Sequence, residues 1–134
     1  MAKILWVEDE ANKIGGLIRP LIKNGHVVDI AQDKSEAISM LKGTAYDLVI
    51  LDIIIPDGQN DTIEEIYPYE GLNVIIHIHD NYKSIPVIIL SVVNDSNVLR
   101  KIRNLGYNTI LSKGMLLPSQ LLEYVAESLG LNDD

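Results

Sequence analysis

Residues 48–58 read LVILDIIIPDG: four apolar residues, Leu48 to Leu51, then the acid Asp52, then three isoleucines and the turn-forming Pro56-Asp57-Gly58. A short apolar run closed by turn residues is a strand with both faces covered, as in a parallel sheet. The carboxylate at its end is either a cap or turn former ahead of Pro56-Asp57-Gly58 or a site residue, and the apolar strand leading into it favours the site. Outward from this stretch, similar runs occur at Ile4 to Val7, Val27 to Ala31, Val87 to Leu90 and Thr109 to Leu111. Segments with helical spacing or helix-end signals lie between and after them, at Asn12 to Asn24, Lys34 to Lys42, Leu72 to Asp80, Ser96 to Leu105 and Pro118 to Leu129. Strand and helix alternate throughout. Strands of this kind joined by helices predict an α/β three-layer sandwich, a parallel sheet with helices on both faces and right-handed crossovers.

Local punctuation agrees. Gly25, Gly43 and Gly106 each follow a helical run, where a residue tolerating positive φ is wanted, and Asp33 is placed to cap the second helix. Pro20 falls inside the first helical run, so that helix is expected to kink or end early. The stretch Asp57 to Glu70 shows no clear element and makes the third strand-to-helix connection long. No repeat, low-complexity segment or linker is visible, so residues 1–134 are expected to form a single domain with an extended connection around 57–70 and no attached output domain.

Composition narrows the function classes. The chain has 134 residues, 47% of them apolar, and no run approaching a membrane span. It has no cysteine, which removes disulfides and thiolate metal sites. The expected location is the cytoplasm, without membrane insertion. A net charge of −8 and an isoelectric point near 4.7 offer no field for a phosphate backbone, so direct nucleic-acid binding is not expected.

In an open parallel sheet, ligands bind beyond the carboxyl ends of the strands. The first strand runs out into Glu8 and Asp9, the third into Asp52, the fourth into Ser91 and the fifth into Lys113. Three carboxylates crowded at one edge would repel one another unless a cation sat among them, and an oxygen-only donor set suits Mg²⁺. A lysine and a hydroxyl facing that cation are what an incoming phosphoryl group requires, because its oxygens carry charge to be neutralised. The chemistry read from the residues is phosphoryl transfer to a carboxylate.

The acidic pair in ILWVEDE, the strand LVILDIIIPDG, the hydroxyl in VIILSVV and the lysine in TILSKG together resemble the four signatures of the receiver domains of bacterial response regulators in two-component signalling, the CheY-like family. The resemblance runs from Lys3 to about Leu129. It implies a flavodoxin-like fold with parallel strand order 2-1-3-4-5. It implies that Asp52 takes a phosphoryl group from a sensor histidine kinase, a phosphotransfer protein or a small phosphodonor. Asp9, Asp52 and the carbonyl of Ile54 would bind Mg²⁺ directly, with Glu8 acting through a water. Ser91 and Lys113 would each hold a phosphoryl oxygen. The chain would catalyse only its own phosphorylation and dephosphorylation, and would switch a face made of the fourth helix, fifth strand and fifth helix that meets a protein target or the output domain of a longer chain.

Several positions depart from the family's pattern. Gly114 follows Lys113 where a proline is usual, which leaves the lysine's aim less fixed, and Ile110 stands where the family often has an aromatic switch residue, with Tyr107 nearby. Val92 could restrict access to the site; Ile54 and Val93 are apolar and are expected to shield an acyl phosphate from water. The separation of Asp52 from Ser91 exceeds the family's usual one, the excess lying between Gly58 and Glu70. Two other functions compete: a receiver-like interaction module that works without phosphorylation, and an aspartyl-phosphate hydrolase, for which the second acid is missing because Ile54 stands there. His77 and His79 lie two apart on a helix and face different ways, which favours packed or surface histidines over a metal pair. Trp6 reads as core.

Overall fold

The computed structural model describes residues 2–55, 69–91 and 95–130. Its strands β1 (Lys3–Val7), β2 (Val27–Ala31), β3 (Leu48–Asp52), β4 (Val87–Ser91) and β5 (Ile110–Ser112) form one parallel sheet in the order β2-β1-β3-β4-β5. The helices are α1 (Gly15–Lys23), α2 (Lys34–Gly43), α3 (Glu70–Asn81), α4 (Ser96–Asn104) and α5 (Pro118–Ser128), with single 3₁₀ turns at Ala11–Lys13 and Lys113–Met115. The expected α/β sandwich and strand order are thus present. No helix among the described residues is long and apolar enough to cross a membrane.

Strand alternation divides the core into two layers. Ile4, Trp6, Leu48, Ile50, Ile88 and Leu90 pack with Ile18 and Leu21 of α1 and Leu121 and Val125 of α5. Leu5, Val7, Val49, Leu51 and Ile89 pack on the other side with Ala37 and Leu41 of α2, Leu72, Ile75 and Ile78 of α3, and Val98 and Ile102 of α4. Glu8 continues the parity of Ile4 and Trp6, and Asp52 that of Leu48 and Ile50, so the two acids leave their strands on the α1/α5 side. Trp6 is fully buried, as its place in β1 suggested, although its indole Nε1 finds no hydrogen-bond partner among the described residues.

Some boundaries differ from the sequence reading. The first helix starts at Gly15, not Asn12, because residues 11–13 make a 3₁₀ turn first. It neither stops at Pro20 nor ends much early: it runs on to Lys23 with Pro20 inside it. The proline forfeits only one backbone donor, while Leu21 next to it is fully buried and both the backbone and the side chain of Asn24 donate to the Pro20 carbonyl at 3.1 Å. Gly25 and Gly106 do take positive φ, +90° and +101°, but Gly43 does not; it is the last residue of α2, and the chain leaves through an extended Thr44. Asp33 caps α2 as expected, accepting from the Glu36 amide at 2.7 Å. Most of the long connection between β3 and α3, like Val92 and Val93, lies outside the described residues.

Candidate functional site

The registers bring the ends of the central strands together. Val7 pairs with Leu51, Asp52 pairs with Leu90 and Ser91 with Ser112, so Glu8, Asp52, Ser91 and Lys113 all emerge at the carboxyl edge of the sheet. Lys113 reaches inward between two acids: its Nζ donates to Asp52 Oδ2 at 2.6 Å and meets Glu8 Oε1, also at 2.6 Å. Glu8 is fully buried and Asp52 is 5% exposed. The other carboxylate oxygen of each acid accepts a backbone N–H two residues on, from Glu10 at 3.1 Å and from Ile54 at 3.0 Å. Each of these loops is thereby folded over its own acid.

Burial pushes the Glu8 carboxyl up, against the lowering effect of Lys113 and of the Glu10 amide. Burial alone would lower the Lys113 ammonium, but its hydrogen bonds to Asp52 and Glu8 outweigh that and hold it above the ordinary lysine value. Lys113 is therefore a fixed positive charge, aimed by two acids. The absence of proline after it does not leave its direction open, since the 3₁₀ turn at Lys113–Met115 and the two carboxylates set it with no cis peptide among the described residues. Asp9 and Glu10 are exposed beside this pair, and an exposed Lys13–Glu10 ion pair of 2.7 Å stands at the rim. A cleft of about 470 Å³ opens here, lined by Asp9, Glu10, Lys13, Ile14, Leu17, Asp52, Ile54, Lys113 and Gly114. A larger groove, about 690 Å³, lies at the opposite end of the sheet between the ends of α2 and α3 and carries none of the predicted site residues.

Comparison with known proteins decides the family. The model of the response regulator receiver domain matches residues 4–126. The chain belongs to the response regulator receiver family. Among curated relatives, this receiver is 33% identical over 89 residues to the two-component response regulator PhoP of Pseudomonas aeruginosa, covering 66% of the chain and 35% of that protein. It is 28% identical over 111 residues to the transcriptional regulatory protein CusR of Escherichia coli K12, covering 83% of the chain and 44% of that protein. The receiver thus spans less than half the length of either. Its fold is that of a CheY-like receiver domain protein from Methanospirillum hungatei JF-1, with a TM-score of 0.82, 21% identity, and coverage of 97% of this chain and 94% of that one. The name of CusR, a transcriptional regulatory protein, does not fit the expectation that this chain has no direct nucleic-acid partner, which rested on its acidic charge alone.

The candidate metal donors of the receiver are all oxygens. Among the described residues, carboxylate oxygens of Glu8, Asp9 and Glu10 lie within 4.8 Å of one another, and no nitrogen or sulfur ligand is among them. Glu8 Oε1 is buried and faces Lys113 Nζ at 2.6 Å, the cation that now offsets its charge. An acidic, oxygen-only pocket suits a hard divalent cation. Asp52 does not join that triad, because Lys113 stands between it and Glu8, and Glu10 enters it instead. Ile54 lies at the cleft with its side chain 47% exposed, so in this structure it gives the Asp52 carboxylate little cover.

Ser91 ends β4 in a buried position on the opposite strand parity from Asp52. Ile110 is half-buried and Tyr107 is buried, edge-on to His79 with ring centroids 6.3 Å apart. His77 instead lies near Tyr82, at 5.9 Å, so the two histidines do face apart. Sequence reading missed Glu10 and Lys13 at the rim, a buried Lys34–Glu70 ion pair, and Gly71, whose amide donates to the Ile53 carbonyl at 2.8 Å. Glu10 was visible beside the acidic pair; nothing in one sequence ties residue 34 to residue 70.

Proposed function

We propose that this receiver works as a phosphoacceptor switch with Asp52 as the acceptor. The observation that carries this reading is Lys113, drawn between a buried Glu8 and Asp52 with 2.6 Å to each: one fixed cation and two acids at a strand end, opening on a cleft. An Asp52 carboxylate oxygen attacks the phosphorus of a phosphohistidine or a small phosphodonor. The bond from phosphorus to the donor breaks, the donor leaves with its electron pair, and an acyl phosphate forms on Asp52. Lys113 then passes its hydrogen bond from Asp52 to a phosphoryl oxygen, and the Ser91 hydroxyl donates to another. Asp9, Asp52 and the Ile54 carbonyl would hold Mg²⁺, with Glu8 through a water and Glu10 as an added acid at the rim. When bound, the ion supplies positive charge against the phosphoryl oxygens. The chain's catalysis is confined to gaining and losing this group.

The partners that follow are a sensor histidine kinase or phosphotransfer protein upstream and a protein target or output domain downstream. The site of action is the cytoplasm. Any DNA contact belongs to an output segment and not to this acidic domain. Residues 1–134 act as one receiver domain with an extended connection around 57–70.

Intact mass after incubation with acetyl phosphate and Mg²⁺ tests the reading. One added phosphoryl group in the wild type, absent in Asp52→Asn and with EDTA, is the expected result. Phosphorylation that persists in Asp52→Asn would overturn the assignment, and none at all despite metal binding and an added kinase would favour the phosphorylation-independent module.

A further inference from the structure

The residue whose environment is most restrictive near the acceptor strand is Gly71, the second residue of α3. A Cβ added there would lie inside van der Waals contact of the Asp52 carbonyl oxygen and the Ile53 Cα, so the start of α3 is seated directly on the backbone that carries the acceptor. The seat is hydrogen-bonded, Gly71 N–H to Ile53 carbonyl at 2.8 Å, and the next step of that backbone, the Ile54 amide, holds Asp52 Oδ1 at 3.0 Å. The preceding residue, Glu70, is 6% exposed and lies against Lys34, the first residue of α2, with Nζ to Oε1 at 2.9 Å; Asn73 Nδ2 donates to the same oxygen at 3.1 Å. Both charged side chains are about nine-tenths buried. Charges taken this far out of water call for close pairing, and the 2.9 Å contact supplies it.

We propose that Lys34 and Glu70 are positioning residues for the acceptor: their ion pair locks the start of α3 against α2, and through Gly71 fixes the Asp52–Ile54 backbone in its metal- and phosphoryl-accepting pose. The inference rests on Asp52 being the acceptor, but its central claim concerns the backbone and is read without phosphate. α2 thereby acts on a site it does not touch.

The test uses Glu70→Gln, Lys34→Met and the double variant, beside Val98→Ala in α4 as a control that destabilises the same core layer away from the site. Amide hydrogen exchange by NMR is the first readout. Exchange of the Gly71 and Ile54 amides should quicken by about tenfold in each single variant, while the Leu5 amide of β1 stays protected, and the double variant should be no worse than either single. Mg²⁺ affinity, titrated with the metal alone and followed by the fluorescence of Trp6, should fall about tenfold in the same variants and hold in Val98→Ala. Unchanged Gly71 and Ile54 exchange, or equal changes in Val98→Ala, would overturn the proposal. If neither acetyl phosphate nor an added kinase modifies the wild type, the acceptor reading fails, and the exchange result still decides the clasp. Should a single neutralisation prevent folding, the apolar Lys34→Met/Glu70→Met variant supplies the same exchange comparison.

Discussion

Lys113 concentrates the electrostatics of the site in one side chain. It neutralises a buried Glu8 and a nearly buried Asp52, which without it would face each other across a dry edge of the sheet. Breaking a buried pair by removing one partner costs about 3–5 kcal/mol in general, and the Lys113 side chain, 22% exposed, is screened enough to reduce that. Lys113→Met is therefore expected to destabilise the fold by roughly 2 kcal/mol at neutral pH, measured by urea unfolding. Adding Glu8→Gln should return part of the loss, because the variant removes the acid that burial most disfavours as an anion. Glu8→Gln alone should raise the melting temperature while weakening Mg²⁺ binding. A Glu8→Gln variant that melts lower than the wild type would show that the Lys113 pair outweighs the desolvation of Glu8.

At the scale of elements, α1 carries the clearest compromise. Pro20 sits six residues into a nine-residue helix whose buried side, Ile18 and Leu21, holds it on the sheet. Proline inside a helix costs about 3 kcal/mol relative to alanine, offset by the freedom it removes from the unfolded chain, about 0.4–1 kcal/mol. Pro20→Ala should stabilise the protein by about 2 kcal/mol, seen as a melting temperature several degrees higher. No gain would mean that the helix already relieves the proline by bending. The same helix shows what one sequence reveals. Its apolar spacing was legible, and so were the strands; β1, β3 and β4, buried on both faces, leave apolar runs that end where a polar residue appears, and Glu8 and Asp52 stood out by that interruption. Its start was misplaced, because Ala11 to Lys13 carry no signal separating a 3₁₀ turn from an α-helical one. Gly43 was misread because it is still the last helical residue of α2, and the chain leaves the helix through an extended Thr44, which needs no positive φ. The Lys34–Glu70 pair and the seat of Gly71 were invisible, since they depend on how α2 and α3 lie side by side and not on either segment's pattern.

Across the whole molecule, stability should depend on pH through histidines far from the acidic site. His26, just ahead of β2, accepts the Ala2 amide on Nδ1 at 3.1 Å, which requires that nitrogen to be unprotonated, and burial lowers its pKa. His77 on α3 is lowered too, first by burial and then by Lys42, and its buried Nε2 finds no hydrogen-bond partner among the described residues. Both imidazoles give up their protons more readily folded than unfolded, so below the ordinary value of 6.5 the unfolded chain binds more protons and the fold loses ground. Their contribution is complete above 6.5 and is lost as the pH falls through their lowered folded values. Glu8 acts in the opposite sense: its raised carboxyl favours the fold at low pH, and that contribution fades as the pH climbs from 4.5 through the folded value. The melting temperature should therefore be nearly level from about pH 8 to 7 and decline below about pH 6.5, with the decline softened, not reversed, by Glu8. Replacing both histidines with glutamine, which at position 26 keeps an acceptor that cannot titrate, should flatten that decline. An equally steep fall in the double variant would assign the acid sensitivity to the carboxylates and remove the histidines from the account.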